Sequence, residues 1–357
     1  MNADSKGVMI NVRVEMKHSI NAYDVARKAG VSQSTVSRVL NNYPHIKEET
    51  KKKVLSAIKE LNFTRDEIAR SLAEKKTRTI GLIIGDITNP FYAESSSIIM
   101  KRANDQNYDV IISYTDYQND NLDQAIQTLI GKRVDGIIIG SINRSNKKIK
   151  ELYQSGFPII LYNSPVDDYE QSNFVVLNNE RGAYLATEHL IMLGHQRIAF
   201  VSGPDRFLNL YHRHIGYVNA LKKYNIPYNE SLVYKGELTF QEIITFVITR
   251  LFTHNRPTAI FAGSDQIALA IMDAAARQGL RMPEDLSIIG YDNINLSANH
   301  LISLTTVSQN IETMASLALE NLLLLIEGNE VMEKSIQIEL APELIIRKTT
   351  GPVSILT

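Results

Sequence analysis

Few side chains in this 357-residue chain could carry out covalent chemistry or hold a metal ion. The sequence has no cysteine, which excludes disulfides, thiolate metal ligands and a thiol nucleophile. It also lacks the G-x-S-x-G, G-x-x-x-x-G-K-[ST] and G-x-G-x-x-G motifs that signal an activated serine or a phosphate cradle. His212 and His214 are two residues apart, a spacing that points them to different sides of a helix. We therefore predict no catalytic residue, no metal site and no cofactor, and we interpret both histidines as surface residues.

The charge of the chain is divided unequally along its length. Residues 1–76 contain 15 basic and 9 acidic side chains, a net charge of +6, whereas the remaining 281 residues contain 23 basic and 30 acidic side chains, a net charge of −7. A short basic segment attached to a long acidic one is suited to binding a polyanion. No window reaches the ~18 consecutive apolar residues of a membrane span, and the N-terminus lacks the apolar core of a secretory signal. We expect no membrane association and a cytoplasmic location.

Three short helices are predicted in the basic segment, after a disordered tail at residues 1–18. Asn21 is a candidate N-cap with Asp24 three positions later, and Gly30 ends the first helix. Ser32 can cap the second helix, and residues 48–61 carry the apolar spacing of a third. These helices predict a compact domain at residues 19–64.

The rest of the chain has the pattern of an α/β protein with parallel sheets. Residues 73–79 have no large apolar side chain and indicate an exposed linker. Beyond them, short β-branched runs alternate with longer amphipathic segments, which favours doubly wound sheets whose strands are buried on both faces. About 270 residues are more than one sheet usually organises, so we predict two subdomains within residues 79–350, joined near residue 178 and again near 307. The predicted strands are residues 80–84, 110–112, 137–139, 158–162, 198–201, 258–262 and 287–291.

Residues 21–41, which read NAYDVARKAGVSQSTVSRVLN, resemble the helix-turn-helix of the LacI/GalR bacterial transcription regulators. The resemblance extends over residues 19–350. Its other motifs are ARSL at 69–72, DITNPFY at 86–92, GH at 194–195, SGP at 202–204, GYDN at 290–293 and LTT at 304–306. It implies a helix-turn-helix head, a hinge helix and linker at residues 65–78, and a periplasmic-binding-protein-like core with a small-molecule site between its subdomains.

The resemblance implies that the second helix enters the major groove of operator DNA. Gln33, Ser34 and Arg38 would contact base edges, and arginine is suited to a bidentate contact with guanine. Leu72 would wedge into the minor groove and kink the duplex. The alternatives are that Ser32 and Thr35 only cap a helix, that Arg38 is a solvated charge and that Leu72 packs on the head. The side chains suited to phosphate are Ser32, Thr35, Ser37 and Asn41.

The hinge segment departs from the family pattern at Arg65 and Asp66, which stand where a Pro-Asn pair is usual. An acidic group near phosphate weakens DNA binding. Asp66 could instead cap the hinge helix and stabilise it by roughly 1 kcal/mol. The sign of the net effect therefore stays open.

The resemblance also places effector contacts in the core. Arg213 and Asp292 match the family's cleft arginine and its acceptor, a pair suited to vicinal hydroxyls. Phe91 and Tyr92 would form an apolar wall for a sugar ring, or would pack in the core. Asn163 stands at a position where aspartate is common in the family. The last two candidates, which could touch ligand or only cap a helix, are Ser264 and Asp265.

The effector expected from these residues is a small molecule, and a sugar or sugar derivative fits best. Leu238 and Ile311 stand at positions where relatives often have aromatic residues. Fewer aromatic rings are therefore expected to stack on the effector. The carbon-catabolite branch of the family binds a phosphorylated carrier protein through an Arg-Pro pair and a tyrosine, and residues 300–304 (HLISL) lack both. A protein corepressor is therefore disfavoured.

We predict a homodimeric repressor controlled by this effector. The chain lacks the C-terminal leucine heptads that some relatives use to form tetramers. The alternative is an α/β enzyme or a solute-binding protein that acts on a small polar metabolite. An enzyme is disfavoured by the missing motifs, and a solute-binding protein by the basic head.

Overall fold

The computed structural model describes residues 20–40, 43–63, 76–167, 172–328 and 335–353. The chain separates into two compact units, residues 1–77 and residues 78–357. We call the first unit the head and the second the core. The predicted tail, Arg65, Asp66 and most of the predicted hinge lie outside the described residues.

The head contains the three predicted helices, α1 (Ala22–Ala29), α2 (Gln33–Leu40) and α3 (Glu48–Glu60). Asn21 accepts from the backbone N–H groups of Tyr23 and Asp24, and Asp24 accepts from the backbone of Asn21, so the capping box forms as predicted. Gly30 ends α1 in the left-handed region, at φ 66°. The helices bury a small apolar core that includes Val25, Val36 and Val54.

The first subdomain of the core is a six-stranded parallel sheet in the order β11-β5-β4-β3-β1-β2. Its central strands are buried on both faces because helices cover both sides of the sheet, as at Gly136–Ile139. Its elements in chain order are β1 (Thr79–Ile84), α4 (Pro90–Asp105), β2 (Asp109–Tyr114), α5 (Asn119–Gly131), β3 (Gly136–Ile139), α6 (Lys147–Gln154), β4 (Ile159–Tyr162) and β5 (Phe174–Leu177), with α11 (Ile311–Glu327) and β11 (Gln337–Leu340) added later.

The second subdomain is a six-stranded sheet in the order β12-β10-β9-β8-β6-β7, parallel except for the antiparallel edge strand β12. A π-helical turn, Val247–Leu251, extends α9. The elements are α7 (Asn179–Met192), β6 (Ile198–Val201), α8 (Leu208–Lys223), β7 (Val233–Tyr234), α9 (Phe240–Phe246), β8 (Ala259–Ala262), α10 (Asp265–Arg277), β9 (Ser287–Asp292), β10 (Thr305–Ser308) and β12 (Glu343–Ile345).

The chain passes between the two sheets after β5, after β10 and between β11 and β12. Helix α11 follows the second passage and packs on α4 and the first sheet, so Met314, Ala318 and Leu322 belong to the first subdomain's core. The passages near residues 178 and 307 were predicted, and the passage between β11 and β12 was not. The fold class of two doubly wound subdomains is confirmed, and every predicted strand is present. Among the strands that were not predicted, β7, β11 and β12 are short or carry polar side chains, whereas β5 is an apolar run of four residues.

Candidate functional site

Helix α2 of the head presents a polar face to solvent. Val36 and Val39 are buried against the other two helices, which turns the side chains between them outward. Five of the predicted DNA contacts are exposed: Ser32 just before the helix, and Gln33, Ser34, Ser37 and Arg38 on it. The guanidinium carbon of Arg38 lies 6.0 Å from the centre of the Tyr43 ring. The predicted readers therefore share one accessible surface.

Ser32 caps α2. Its Oγ accepts from the backbone N–H of Thr35 at 3.2 Å and lies 2.8 Å from both Ser34 Oγ and Thr35 Oγ1. Capping does not remove Ser32 from the surface, because its side chain stays exposed. Asn41 and Leu72, the other two predicted DNA contacts, lie outside the described residues.

A cavity of about 160 Å³ lies in the core between the carboxyl ends of the two sets of strands. Six of the seven predicted effector contacts line it. Phe91 and Tyr92 open α4, Asn163 follows β4, Arg213 lies on α8, and two come from the second sheet, namely Ser264 and Asp292. The sequence-distant candidates are thus brought to one place by the shared strand polarity of two sheets.

Arg213 is a buried side chain of the cavity, with 2% of its surface exposed. Its Nε donates to Asn179 Oδ1 at 2.9 Å, and its Nη1 donates to the Gly263 carbonyl at 2.6 Å. Nη1 also lies 3.7 Å from Asp292 Oδ1. Nη2 has no hydrogen-bond partner among the described residues. A buried guanidinium held at two atoms and unpaired at the third is a ready donor to a ligand oxygen.

Asp292 faces Arg213 from the end of β9, where its backbone is held in an unusual conformation at φ 121°. Its Oδ1 accepts from Gln309 Nε2 at 2.6 Å. Burial raises the pKa of the Asp292 carboxyl to about 7, and the nearby Arg213 charge opposes that rise. Among the described residues, Gln309 Oε1 and Asn163 Oδ1 are buried acceptors without a partner. The cavity thus offers one free donor and free acceptors in the same small space.

Phe91 and Tyr92 pack in the hydrophobic core and also line the cavity. The Phe91 ring is stacked with that of Tyr162, with centres 5.9 Å apart, and meets the Tyr92 ring edge-on at 5.2 Å. Tyr92 donates its hydroxyl to the Gly140 carbonyl at 2.9 Å, and burial raises its pKa to about 12. Both rings also line the cavity. They form a wall that is part of the hydrophobic core.

The structure corrects the prediction for Asp265, which does not line the cavity. Its side chain is fully buried and accepts from the Ile294 backbone, from Ser297 Oγ at 2.6 Å and from Thr306 Oγ1 at 2.5 Å. It therefore ties the start of α10 to β10 and to the turn after β9. Ser264 caps the same helix through the Ile267 N–H at 3.2 Å, and it does line the cavity.

Several residues that line the cavity were not predicted from the sequence. Their shared signal is position, because they follow the carboxyl ends of parallel strands, where ligands of such sheets bind. Tyr117 follows β2 and contacts Phe207, which follows β6, with ring centres 5.8 Å apart. Leu238 lines the cavity, whereas Ile311 does not appear in its wall. Further lining residues include Asn89, Asn209, Gln266 and Gln309.

His212 and His214 were predicted to be surface residues. Both are half-buried, and burial lowers the pKa of each. His214 stacks on Phe200, with ring centres 5.6 Å apart, because α8 packs against the second sheet. Within the described residues, no group of three or more His, Cys, Asp or Glu side chains could hold a metal ion. None of the helices in that part of the chain is long and apolar enough to cross a membrane.

Comparisons with known proteins match both units. Residues 21–66 match the family of bacterial regulatory proteins named lacI, and residues 187–350 match a periplasmic binding protein-like domain. Catabolite control protein A of Priestia megaterium is 38% identical over 333 residues, which are 93% of this chain and 99% of that protein.

Two solved structures are similar over most of this chain. The Lac repressor dimer bound to operator and the anti-inducer ONPF has 29% identity and a TM-score of 0.80, covering 94% of this chain and 100% of that one. The regulator CelR in complex with cellobiose has 27% identity and a TM-score of 0.69, covering 92% and 99%. With this likeness over nearly its whole length, the chain belongs to the lacI family of bacterial regulatory proteins and is a DNA-binding transcriptional regulator.

Proposed function

We propose that this regulator is a homodimeric repressor whose core cavity binds a small polyhydroxylated molecule, a sugar or sugar derivative, and that this effector changes its affinity for operator DNA. One observation carries the proposal. The unpartnered Nη2 of the buried Arg213 shares a small cavity with the Asp292 carboxylate and the unpartnered oxygens of Gln309 and Asn163.

A vicinal diol complements this arrangement. Each hydroxyl can accept a hydrogen bond from the guanidinium and donate one to a carboxylate or amide oxygen. The Phe91 and Tyr92 wall provides an apolar surface for the carbon face of a ring. Cellobiose in the CelR structure and the anti-inducer ONPF in the Lac repressor structure support this class of ligand.

Control of DNA binding requires only that the effector prefers one of two conformations of the protein. Its influence on operator affinity then equals its difference in affinity between them. The absence of the Arg-Pro pair and tyrosine at residues 300–304 supports a small molecule over a carrier protein as the signal.

In the head, we propose that Gln33, Ser34 and Arg38 read bases in the major groove. Ser32, Thr35, Ser37 and Asn41 contact phosphates, and Leu72 of the proposed hinge at residues 65–78 inserts into the minor groove. The exposure of Gln33, Ser34, Ser37 and Arg38 on one helix supports this assignment.

Thermal-shift measurements on the full-length protein against a panel of sugars and nucleosides test the effector. A ligand that binds the folded state raises the melting temperature. We expect a sugar to do so, and we expect Arg213→Lys to abolish its effect, because lysine cannot bond to Asn179 and Gly263 in the fork geometry that leaves Nη2 free for the ligand. Arg277→Lys is the matched control, since Arg277 is exposed and pairs only locally with Asp273. Stabilisation by nucleosides alone, or an undiminished sugar response in Arg213→Lys, would contradict the proposal.

Selection of binding sites from random duplexes, followed by gel-shift titration, tests the head. We expect Arg38→Ala to weaken binding to the selected site by about tenfold or more. Lys59→Ala, an exposed charge at the end of α3, is the control and should change affinity far less. Unchanged discrimination between selected and scrambled duplexes in Arg38→Ala would remove Arg38 from the base-reading set.

A further inference from the structure

A second set of contacts joins the two subdomains beside the cavity. Arg144 follows β3 in the first subdomain, whereas Arg206 and Tyr211 belong to the segment between β6 and α8 and to α8 itself in the second. The backbone N–H of Arg144 donates to the Arg206 carbonyl at 2.8 Å. The guanidinium carbon of Arg144 lies 4.3 Å from the centre of the Tyr211 ring. One residue of the first subdomain thus makes a backbone and a cation–π contact with the second.

Arg144 is held in position within its own subdomain. Its Nε donates to Asp167 Oδ2 at 2.5 Å, and the Asp167 N–H donates to the Arg144 carbonyl at 2.8 Å. About two thirds of each side chain is covered, with 29% of Arg144 and 33% of Asp167 exposed. Asp167 follows β4, so the pair links the loops after two neighbouring strands. This pairing directs the guanidinium toward Tyr211 and lowers the entropic cost of the contact.

The receiving segment is also held by contacts within its own subdomain. Arg206 forms two hydrogen bonds with Glu237, at 2.5 and 2.6 Å, and its guanidinium carbon lies 5.0 Å from the centre of the Phe207 ring. Phe207 in turn meets Tyr117 of the first subdomain. Residues 206–213 therefore connect the Arg144 contact directly to Arg213, on the ligand side of the same segment.

We propose that Arg144, oriented by Asp167 and packed on Tyr211, is a positioning residue that holds the two subdomains in the closed arrangement. We call the set Arg144, Asp167 and Tyr211 the clasp. None of the three appears in the wall of the cavity, so the clasp acts through geometry and makes no ligand contact. Only its consequence for effector sensitivity rests on the proposed function, because apparent affinity scales with the fraction of molecules that are closed.

Distance measurements between two spin labels, made by pulsed electron paramagnetic resonance on the ligand-free, full-length protein, test the clasp. The chain has no cysteine, so Lys150→Cys on α6 and Lys222→Cys on α8 give two unique labelling sites, both exposed and one in each subdomain. The parent for every comparison is this doubly labelled protein. We expect Arg144→Ala to raise the population of longer, open distances about fivefold.

Variants of Tyr211 separate the cation–π contact from simple packing. Tyr211→Phe keeps the aromatic ring and should match the parent, whereas Tyr211→Leu should open the core as Arg144→Ala does. Arg277→Ala, the removal of an exposed arginine within one subdomain, should have no effect. If circular dichroism shows that Arg144→Ala is unfolded, Tyr211→Leu and the isosteric Asp167→Asn decide the question.

Two results would overturn the clasp. The first is distance distributions in the folded variants that coincide with that of the parent. The second is equal opening in Tyr211→Phe and Tyr211→Leu. Because no ligand is present, these outcomes are independent of whether a sugar binds, and a failed sugar screen leaves the clasp standing.

Discussion

The guanidinium carbon of Arg213 lies 3.7 Å from the centre of the Tyr291 ring, with both side chains almost fully buried. The hydroxyl end of Tyr291 lies close to Gly182 of α7, where an added Cβ would lie 2.4 Å from the tyrosine hydroxyl oxygen. The position of the proposed ligand donor therefore depends on an aromatic ring and on a close helix approach behind it. The ring offers its negative face to the cation, and both groups are buried.

Replacing Tyr291 by leucine should lower the stability of the core. We expect a loss of about 2–4 kcal/mol, because the smaller side chain leaves a cavity and removes the ring under Arg213. Tyr291→Phe keeps the ring and should stay within about 1 kcal/mol of the parent. Urea unfolding of the full-length variants measures both. Equal losses in the two variants would show that the hydroxyl, and not the ring, carries the stabilisation.

Gly216→Ala should destabilise the core by about 1–3 kcal/mol. The added Cβ would lie 2.1 Å from the backbone carbonyl of Glu180, so α7 and α8 would have to move apart. Gly131→Ala is the matched control, since an added Cβ there meets nothing within 4 Å at the end of α5. Alanine at residue 131 should be neutral or should stabilise by up to about 1 kcal/mol. Thermal unfolding of both variants checks the contrast.

The stability of the core should fall as the pH rises through the titration of Asp292. Burial raises the folded-state pKa of this carboxyl from the ordinary value of 3.8 to about 7. Between these values the folded state holds a proton that the unfolded state has released, so protonation favours folding at the acidic end. Each unit of pKa shift is equivalent to about 1.4 kcal/mol.

Urea unfolding from pH 4 to pH 7 measures this effect against Asp292→Asn, which cannot titrate. We expect the free energy of unfolding of the parent to decline relative to that of the variant by more than about 1 kcal/mol across this range. A difference that is constant with pH, or one that grows in the parent's favour as the pH rises, would show that the Asp292 pKa is not raised.

Asn21→Ala should loosen the first helix of the head. The substitution removes the side chain that accepts from the Tyr23 and Asp24 amides, at a cost of about 1 kcal/mol. Hydrogen exchange of the full-length protein should show faster exchange in a peptide that covers α1, with no change in core peptides. Asn21→Asp keeps an N-cap acceptor and is expected to retain protection. Unchanged exchange in Asn21→Ala would mean that packing alone holds α1.

The head was predictable because its signals are local. Asn21, Asp24 and Gly30 act within one or two turns of helix, and the spacing of Val36 and Val39 determines which face of α2 is exposed. The buried strands of the core were predictable for a similar reason, since runs such as residues 137–139 are apolar on both faces. The short edge strands β7, β11 and β12 lack that signal, and pairing with a neighbour creates them.

The cavity was predictable only in part. The family motifs predicted that Arg213 and Asp292 lie near each other although they are far apart in the sequence. In the structure, Arg213 Nη1 lies 3.7 Å from Asp292 Oδ1. The same motifs suggested Asp265, whose side chain instead points away from the cavity and binds Ser297 and Thr306. Neighbouring residues at the start of a helix point in different directions, so sequence proximity to a ligand residue does not imply contact.

The amino-acid sequence by itself determined the three-helix head, the doubly wound class of the core, the family and the lack of thiol chemistry, because periodicity, caps and composition act through neighbours along the chain. Only the tertiary structure decided that Gln309, Tyr117 and Phe207 line the cavity and that Asp265 does not. It also decided that Arg144 contacts Tyr211 in the other subdomain. These relationships depend on how loops from different strands converge at the sheet edges, and no local pattern encodes that convergence.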